Sequence, residues 1–374
     1  MTRTPLAEWL GDKIRASGPI PFAEYMEACL YHPEFGYYMR AGNRQDRDYY
    51  TSPSLHPIFG KLIARQLCEM WMLLGNPESF QLVELAAADG LLAAHILDCA
   101  ATNLPDFYGA LRYVCVEISA PRRDSAAKRL EHHLWNGRAS MQTELPALIP
   151  AGCVLSNEFF DALPVHVVEW DGTRLLEIYV DCDASGRFHE RLENASLPDI
   201  SVYFAEMGVE FVAGQRAEAG LSACRWMKDI GTRLGRGFVL TVDYGHEAAE
   251  LYHARRVRGT LMAYRNHRAS EDVFAAPGEQ DLTAHVNFSA LDHAGRSMGL
   301  QRTGLVFQTN FLLGLARRFG ADNPESRNRS DAELLRERAA FTNLIHPEGM
   351  GETFRMLVQH KGIVAPHLTG LEPL

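Results

Sequence analysis

Apolar positions recur at helical spacing from the start of the chain: Leu6, Trp9, Leu10 and Ile14 share one face, and Gly18-Pro19 ends that helix. A second helix is predicted over Phe22–Tyr31, followed by the loop His32-Pro-Glu-Phe-Gly-Tyr-Tyr38. The polar stretch 41–48, closing in Tyr49-Tyr-Thr-Ser-Pro53, has no period and reads as a long loop of the kind that is usually functional. Helical spacing resumes over 57–74. An alternation then begins: a strand at Phe80–Leu85, a helix at 91–99, a strand at 111–117, a helix opened by Ser119-Ala-Pro121 with Ser119 as its cap, and a strand at 152–156. Strand, helix, strand, helix, strand implies a parallel sheet with right-handed crossovers. After Pro164 the pattern changes to a hairpin, 165–170 and 175–180 around Asp171-Gly172. The sheet is expected to resume at 238–243 after a helix at 220–234. The domain reading is therefore an amino-terminal helical extension with a covering loop over 1–78, a first part of the core over 79–164, an insertion over 165–236, and the remaining core with carboxyl-terminal helices over 237–374.

Composition narrows the class. The chain has 374 residues, enough for two or three domains, and 47% hydrophobic with 22% charged residues excludes disorder, collagen-like repeats and coiled-coil rods. A net charge of −10 disfavours a surface that tracks a nucleic-acid backbone. The seven cysteines include no Cys-x-x-Cys pair, which removes zinc ribbons and thioredoxin-like chemistry, and their odd number without a secretory signal suggests a reducing compartment. No apolar run reaches the roughly 20 residues of a membrane span, and Glu8 and Asp12 are unlike an acid-poor transit peptide. The expectation is a cytoplasmic protein.

Chemistry is expected at three places. Val83-Glu-Leu-Ala-Ala-Ala-Asp-Gly90 joins a strand to a helix through small residues, as a nucleotide-type ligand requires, although with Gly90 alone a plain turn competes. Glu117 ends the next strand, where an acidic side chain accepts hydrogen bonds from both ribose hydroxyls; together the two features point to an adenosine site. Ser156-Asn-Glu-Phe-Phe-Asp161 ends the third strand, and a helix starting there would place Glu158 and Asp161 on one face, while Asn157 or Glu158 as a mere cap is the alternative. Other signals fail. Asp181-Cys-Asp-Ala-Ser-Gly186 imitates a calcium loop but has Leu192 at the twelfth position, so a hairpin turn is the better reading. His246-Glu-Ala-Ala-Glu250 lacks a zincin's second histidine, the adjacent His132 and His133 make no metal pair, and neither a Walker loop nor Gly-x-Ser-x-Gly occurs.

Several long segments then carry a resemblance: Tyr31-His-Pro-Glu-Phe-Gly-Tyr-Tyr38, Asp48-Tyr-Tyr-Thr-Ser-Pro53, Ser156-Asn-Glu-Phe-Phe-Asp-Ala-Leu-Pro-Val-His166, Asp243-Tyr-Gly-His246, Arg258-Gly-Thr-Leu-Met-Ala-Tyr264, Pro277-Gly-Glu-Gln-Asp-Leu-Thr-Ala-His285-Val-Asn-Phe288 and His346-Pro-Glu-Gly-Met-Gly-Glu352. In this order they resemble the MidA family of S-adenosylmethionine-dependent methyltransferases, whose mitochondrial members assist respiratory complex I assembly by methylating arginine. The resemblance implies an α/β fold: a class I methyltransferase (Rossmann-like) sheet with an amino-terminal helical extension and an inserted subdomain. It implies S-adenosyl-L-methionine over Glu84, Ala86, Ala88 and Gly90, its ribose at Glu117 beside Ile118, and Thr51, Ser52 and Pro53 closing over it. It also implies a protein substrate, with a respiratory complex I subunit as the candidate, and an arginine served by Asn157, Glu158 and Asp161. A pair of carboxylates suits a guanidinium through forked, charge-assisted hydrogen bonds. Two positions depart from the family: its turn reads Glu-Leu-Gly-Pro-Gly-Arg-Gly where this chain has Ala86, Ala87, Ala88 and Asp89, and the glycine before Asp48 is Arg47. These departures motivate a rival reading, a methyltransferase fold without turnover that acts as a binding or assembly factor. A nicotinamide dehydrogenase is disfavoured by the missing Gly-x-Gly-x-x-Gly.

Overall fold

The structure, a computed structural model, describes residues 4–40, 56–319 and 330–373. Thr51, Ser52 and Pro53 lie outside the described residues, as do Arg47 and Asp48. The chain divides into two compact units, one of residues 50–159, 228–244 and 295–374, the other of residues 1–49, 160–227 and 245–294.

The first unit is built on a mixed sheet. Its strands are β1 (Phe80–Leu85), β2 (Leu111–Val116), β3 (Ala139–Gln142), β4 (Ile149–Asn157), β5 (Leu234–His246), β6 (Gln301–Phe307) and β7 (Phe354–Lys361). They lie in the order β3-β2-β1-β4-β5-β7-β6, all parallel except β7, which is antiparallel to both neighbours. Central strands such as Phe80-Gln-Leu-Val-Glu-Leu85 are nearly continuous in apolar residues because both faces of a parallel sheet are covered. Helices α1 (Ile58–Leu73), α2 (Leu91–Asn103), α3 (Ala120–Arg129), α4 (Gln308–Phe319) and α5 (Asp331–Ile345) flank it. Phe59, Leu67, Leu97 and Phe311 from this layer meet Leu82 and Phe238 from the sheet in one core. This is the class I methyltransferase arrangement that the resemblance implied.

The predicted strand at 152–156 extends to Ile149–Asn157, and that at 238–243 to Leu234–His246. Both lengthen because they pair in register from Leu234 with Ile149 to Val242 with Asn157. β3 is a four-residue edge strand, Ala139-Ser-Met-Gln142, with Ala139 and Met141 turned to the core; it is too short to stand out in the sequence and forms by pairing with β2.

In the other unit the predicted hairpin forms, with Val168 opposite Glu177 and Trp170 opposite Leu175. Its turn is closed by Asp171, whose Oδ1 accepts from the Thr173 hydroxyl at 2.7 Å and from the amides of Arg174 at 2.9 Å and Thr173 at 2.7 Å; the hydroxyl first, and the amides with it, hold its carboxyl down at about 2. The imitation calcium loop is a second hairpin turn: Asp183 Oδ1 accepts from the amides of Ser185 and Arg187, between the strands Leu175–Cys182 and Phe188–Asn194. Helices Pro5–Ser17 and Phe22–Tyr31 pack Leu6, Leu10 and Tyr25 against Val167, Ile178 and Val180 of that sheet. The last two residues of β5, Gly245 and His246, pair with Val286 and Asn287.

Candidate functional site

The turn after β1 is shaped by three left-handed residues in a span of five: Ala86 at φ 51°, Ala88 at φ 47° and Gly90 at φ 77°. Glycine adopts this region freely, whereas an L side chain pays about 1–2 kcal/mol. Hydrogen bonds hold the two alanines there. The Ala87 amide donates to the Val116 carbonyl at 3.2 Å, the Gly90 amide to the Ala87 carbonyl at 2.8 Å, and the Ala88 amide to Glu117 Oε2 at 3.0 Å. Asp89 is gripped by Arg129, whose Nε donates to its carbonyl at 3.0 Å and Nη2 to its carboxylate at 2.5 Å, while the Leu91 amide at the start of α2 donates to Asp89 Oδ1.

Glu117 is only 4% exposed and binds backbone on both oxygens, Oε1 receiving the Ser119 amide at 2.8 Å. Burial raises its pKa, opposed in part by the nearby Arg122 and by these amides. One lone pair on each oxygen is left for further donors, the geometry that a vicinal diol requires. Ile118 beside it is a half-exposed apolar surface. The expected cap at Ser119 is corrected in one respect: the residue does stand before α3, but its side chain makes no cap bond, and its buried hydroxyl has no partner among the described residues. Its amide, not its hydroxyl, carries the contact to the site.

Glu84 differs from its neighbours in the turn. It shares a strand face with Leu82 and receives the Tyr113 hydroxyl on Oε2 at 2.8 Å. Burial pushes its carboxyl up to about 8. An unfolded carboxyl titrates near 4.3, so between about pH 4 and pH 8 the folded chain keeps a proton that the unfolded chain releases. The stabilisation linked to that proton is complete below the unfolded pKa and is lost as the pH rises through 8. Glu84→Gln keeps the shape and the acceptor without the titration. The wild-type Tm should therefore fall relative to the variant between pH 5 and pH 9 in thermal scans; a constant gap would mean that Glu84 is ionised throughout.

At the end of β4, no helix starts at residue 158. Residues 158–163 are bends and turns, so the shared helical face of Glu158 and Asp161 does not exist. The reason is a partner distant in sequence: Glu158 takes φ 52°, and its amide donates to the Val242 carbonyl at 2.9 Å, continuing the pairing with β5 instead of turning into a helix. Asn157 Nδ2 donates to Glu158 Oε1 at 3.0 Å. Glu158 belongs to the sheet unit and Asp161 to the other, where Asp161 is buried and its carbonyl accepts from the Ala284 amide at 3.0 Å. Ala86, Ala88, Gly90 and Glu117 are thus brought together directly, and Glu84 supports them from the core side. Sequence reasoning gave no role to Asp243, whose carboxylate receives the Phe159 amide. The signal was an acid closing the apolar run Phe238-Val-Leu-Thr-Val.

The histidine pair is structural: His133 engages the Tyr108 hydroxyl and Asp98 through its two ring nitrogens. Among the described residues no group of three His, Cys, Asp or Glu side chains could hold a metal ion, and no helix is long and apolar enough to cross a membrane.

Residues 62–306 match the family model described as "Putative S-adenosyl-L-methionine-dependent methyltransferase". The chain is 30% identical, over 97% of its own length and 86% of the relative's, to the mitochondrial "Protein arginine methyltransferase NDUFAF7 homolog" of Drosophila melanogaster. It is 30% identical over 92% of its length, and 84% of the relative's, to the mitochondrial NDUFAF7 protein of Danio rerio. Among solved structures it is similar, with a TM-score of 0.85 and 29% identity, to a "likely methyl transferase" from Burkholderia thailandensis bound to S-adenosyl-homocysteine, covering 99% of this chain and 97% of that one. The expectation of a cytoplasmic protein is overturned by these relatives, which are named as mitochondrial proteins. Free cysteines and the lack of an apolar span do not separate one reducing compartment from another.

Proposed function

The chain belongs to the MidA-like family of S-adenosyl-L-methionine-dependent methyltransferases, and from that premise we propose that it methylates arginine on a protein partner. The acceptor class rests on one observation, the 30% identity along 97% of the chain to a relative named as a protein arginine methyltransferase.

The residues present fit the cofactor. Small side chains line the turn 86–90, Glu117 is buried with acceptor capacity to spare, and Ile118 offers an apolar face next to it. In this reading Glu117 accepts the ribose hydroxyls and the turn backbone lies along the cofactor. S-adenosyl-L-methionine supplies a methyl group activated as a sulfonium. The chain's remaining task is positioning and electrostatics, since an in-line displacement needs little covalent help. Glu158, steadied by Asn157, binds the guanidinium, orients one nitrogen and takes the proton that nitrogen releases. Subunits of respiratory complex I are the partners to try first.

The test is incubation with methyl-labelled S-adenosyl-L-methionine and candidate partner proteins, then peptide mass spectrometry. Label on arginine is expected; label confined to another side chain would overturn the acceptor assignment.

The rival reading, a binding or assembly factor without turnover, is favoured by one observation: Ala86 and Ala88 place Cβ atoms on left-handed positions of the turn. Ala88→Gly removes a backbone penalty of about 1–2 kcal/mol against about 0.5–1 kcal/mol of added chain entropy. A slightly higher Tm and a severalfold tighter cofactor are expected by scanning calorimetry and titration. A wild type that binds nothing at millimolar cofactor, while Ala88→Gly binds, would favour the rival.

A further inference from the structure

Asp243 is fully buried at the carboxyl end of β5. Its Oδ2 accepts the Phe159 amide at 3.2 Å and its Oδ1 accepts the Tyr244 amide at 3.0 Å. One residue earlier, the Val242 carbonyl accepts the Glu158 amide at 2.9 Å. Two consecutive amides on one strand end are therefore tied to two consecutive residues of the next strand. Glu158 lies between these ties and holds a left-handed φ of 52°. A non-glycine residue stays in that region only where its surroundings over-determine it, and such strain gathers at working sites.

The chemistry of the clamp calls for a carboxylate. Two N–H donors converge on one side chain, one on each oxygen, and an acidic side chain presents an oxygen acceptor on both arms. Asparagine would turn an N–H₂ toward one of the two amides. Burying an ionised acid is costly unless it is hydrogen-bonded, so an apolar residue would be the cheaper choice if the position served packing alone.

We propose that Asp243 is a positioning residue for methyl transfer: it fixes the Glu158–Phe159 peptide and so sets the direction in which the Glu158 carboxylate meets the acceptor. The proposal rests on the assignment of Glu158 to the acceptor.

The experiment compares wild type, Asp243→Asn, Glu158→Gln and the double variant. Three quantities are read: cofactor affinity by calorimetry, methyl transfer from labelled S-adenosyl-L-methionine to a pool of arginine-containing peptides, and the conformation of residue 158 in a crystal structure of Asp243→Asn. Misplacement of a reacting group by about 1 Å costs about a hundredfold in rate, so Asp243→Asn should lower turnover by about that factor. Cofactor affinity should stay within about twofold, the margin for independent sites. In the Glu158→Gln background, Asp243→Asn should change turnover by no more than about twofold, because it acts through a carboxylate no longer there. A merely structural residue would instead lower cofactor affinity and turnover together in both backgrounds. Full multiplication of the two losses, or Glu158 unmoved in the Asp243→Asn crystal structure, overturns the proposal. If Glu158→Gln alone keeps wild-type turnover, the acceptor assignment fails, a distinct result. If wild type leaves the peptides unmodified, the crystal structure still decides whether Asp243 sets the turn. Asp243→Ser, with a smaller side chain, replaces Asp243→Asn if the latter does not fold.

Discussion

Glu117→Ala is expected to weaken S-adenosyl-L-methionine by at least tenfold, and isothermal titration measures the loss. A hydrogen bond to a charged group contributes about 1.5–3 kcal/mol, which is about tenfold to a hundredfold in affinity. The structure adds a second cost. The same carboxylate accepts the amides of Ala88 and Ser119, one from each side of the site. Without it both donors lose their acceptor, and the Ala88 amide is one of the contacts that hold a left-handed alanine in place. The variant should therefore lose Tm as well as affinity. Glu117→Gln separates the two effects, because its one remaining oxygen can serve a single amide and its N–H₂ faces the other. Wild-type affinity in Glu117→Ala would remove the residue from the cofactor site.

What was legible in the sequence was whatever periodicity encodes. The helix Phe22–Tyr31 and the strand Phe80–Leu85 fall where apolar spacing puts them, because each buries a face that the spacing defines. The acid at Glu117 was legible because a polar residue closing an apolar strand marks the carboxyl edge of a parallel sheet, where ligands gather. The strand Ala139–Gln142 was not, since so short an edge strand exists only through its neighbour. Backbone sign was not legible either. Nothing in Ala-Ala-Ala announces that the first and third residues are left-handed and the middle one is not; interactions from Val116, at the end of the adjoining strand, and from Glu117 just after it decide it. The same holds at residue 158, where two acids three apart would share a face only if a helix began there, and hydrogen bonds to β5 shape the turn instead. The shared lesson of both turns is that local pattern fixes elements, while conformations at the strand ends are set by partners distant in sequence.

Gly90→Ala tests the turn most severely, because there sequence and structure agree that no side chain is wanted. Gly90 caps α2 at φ 77°, so an alanine pays about 1–2 kcal/mol in backbone strain. Its Cβ would also lie 3.0 Å from Ala126 Cβ, 3.2 Å from Ala126 Cα and 3.3 Å from Leu130 Cδ1. Ala126 belongs to α3, and its Cα cannot swing aside as the tip of a long side chain would. Relief requires α3 to move as a body. That helix begins just after Ser119, whose amide binds Glu117, and ends at Arg129, which grips Asp89. A shift of α3 therefore disturbs both sides of the cofactor site at once. Destabilisation of about 2–5 kcal/mol is expected, strain and overpacking together, with cofactor affinity falling further than in Glu117→Gln. Gly109→Ala is the control: it lies in the helix Pro105–Ala110 with nothing within 4 Å of an added Cβ, and should leave Tm and affinity unchanged or slightly raised. Equal Tm and equal cofactor affinity in Gly90→Ala and wild type would mean that α3 yields without cost and that the turn is not what shapes the site.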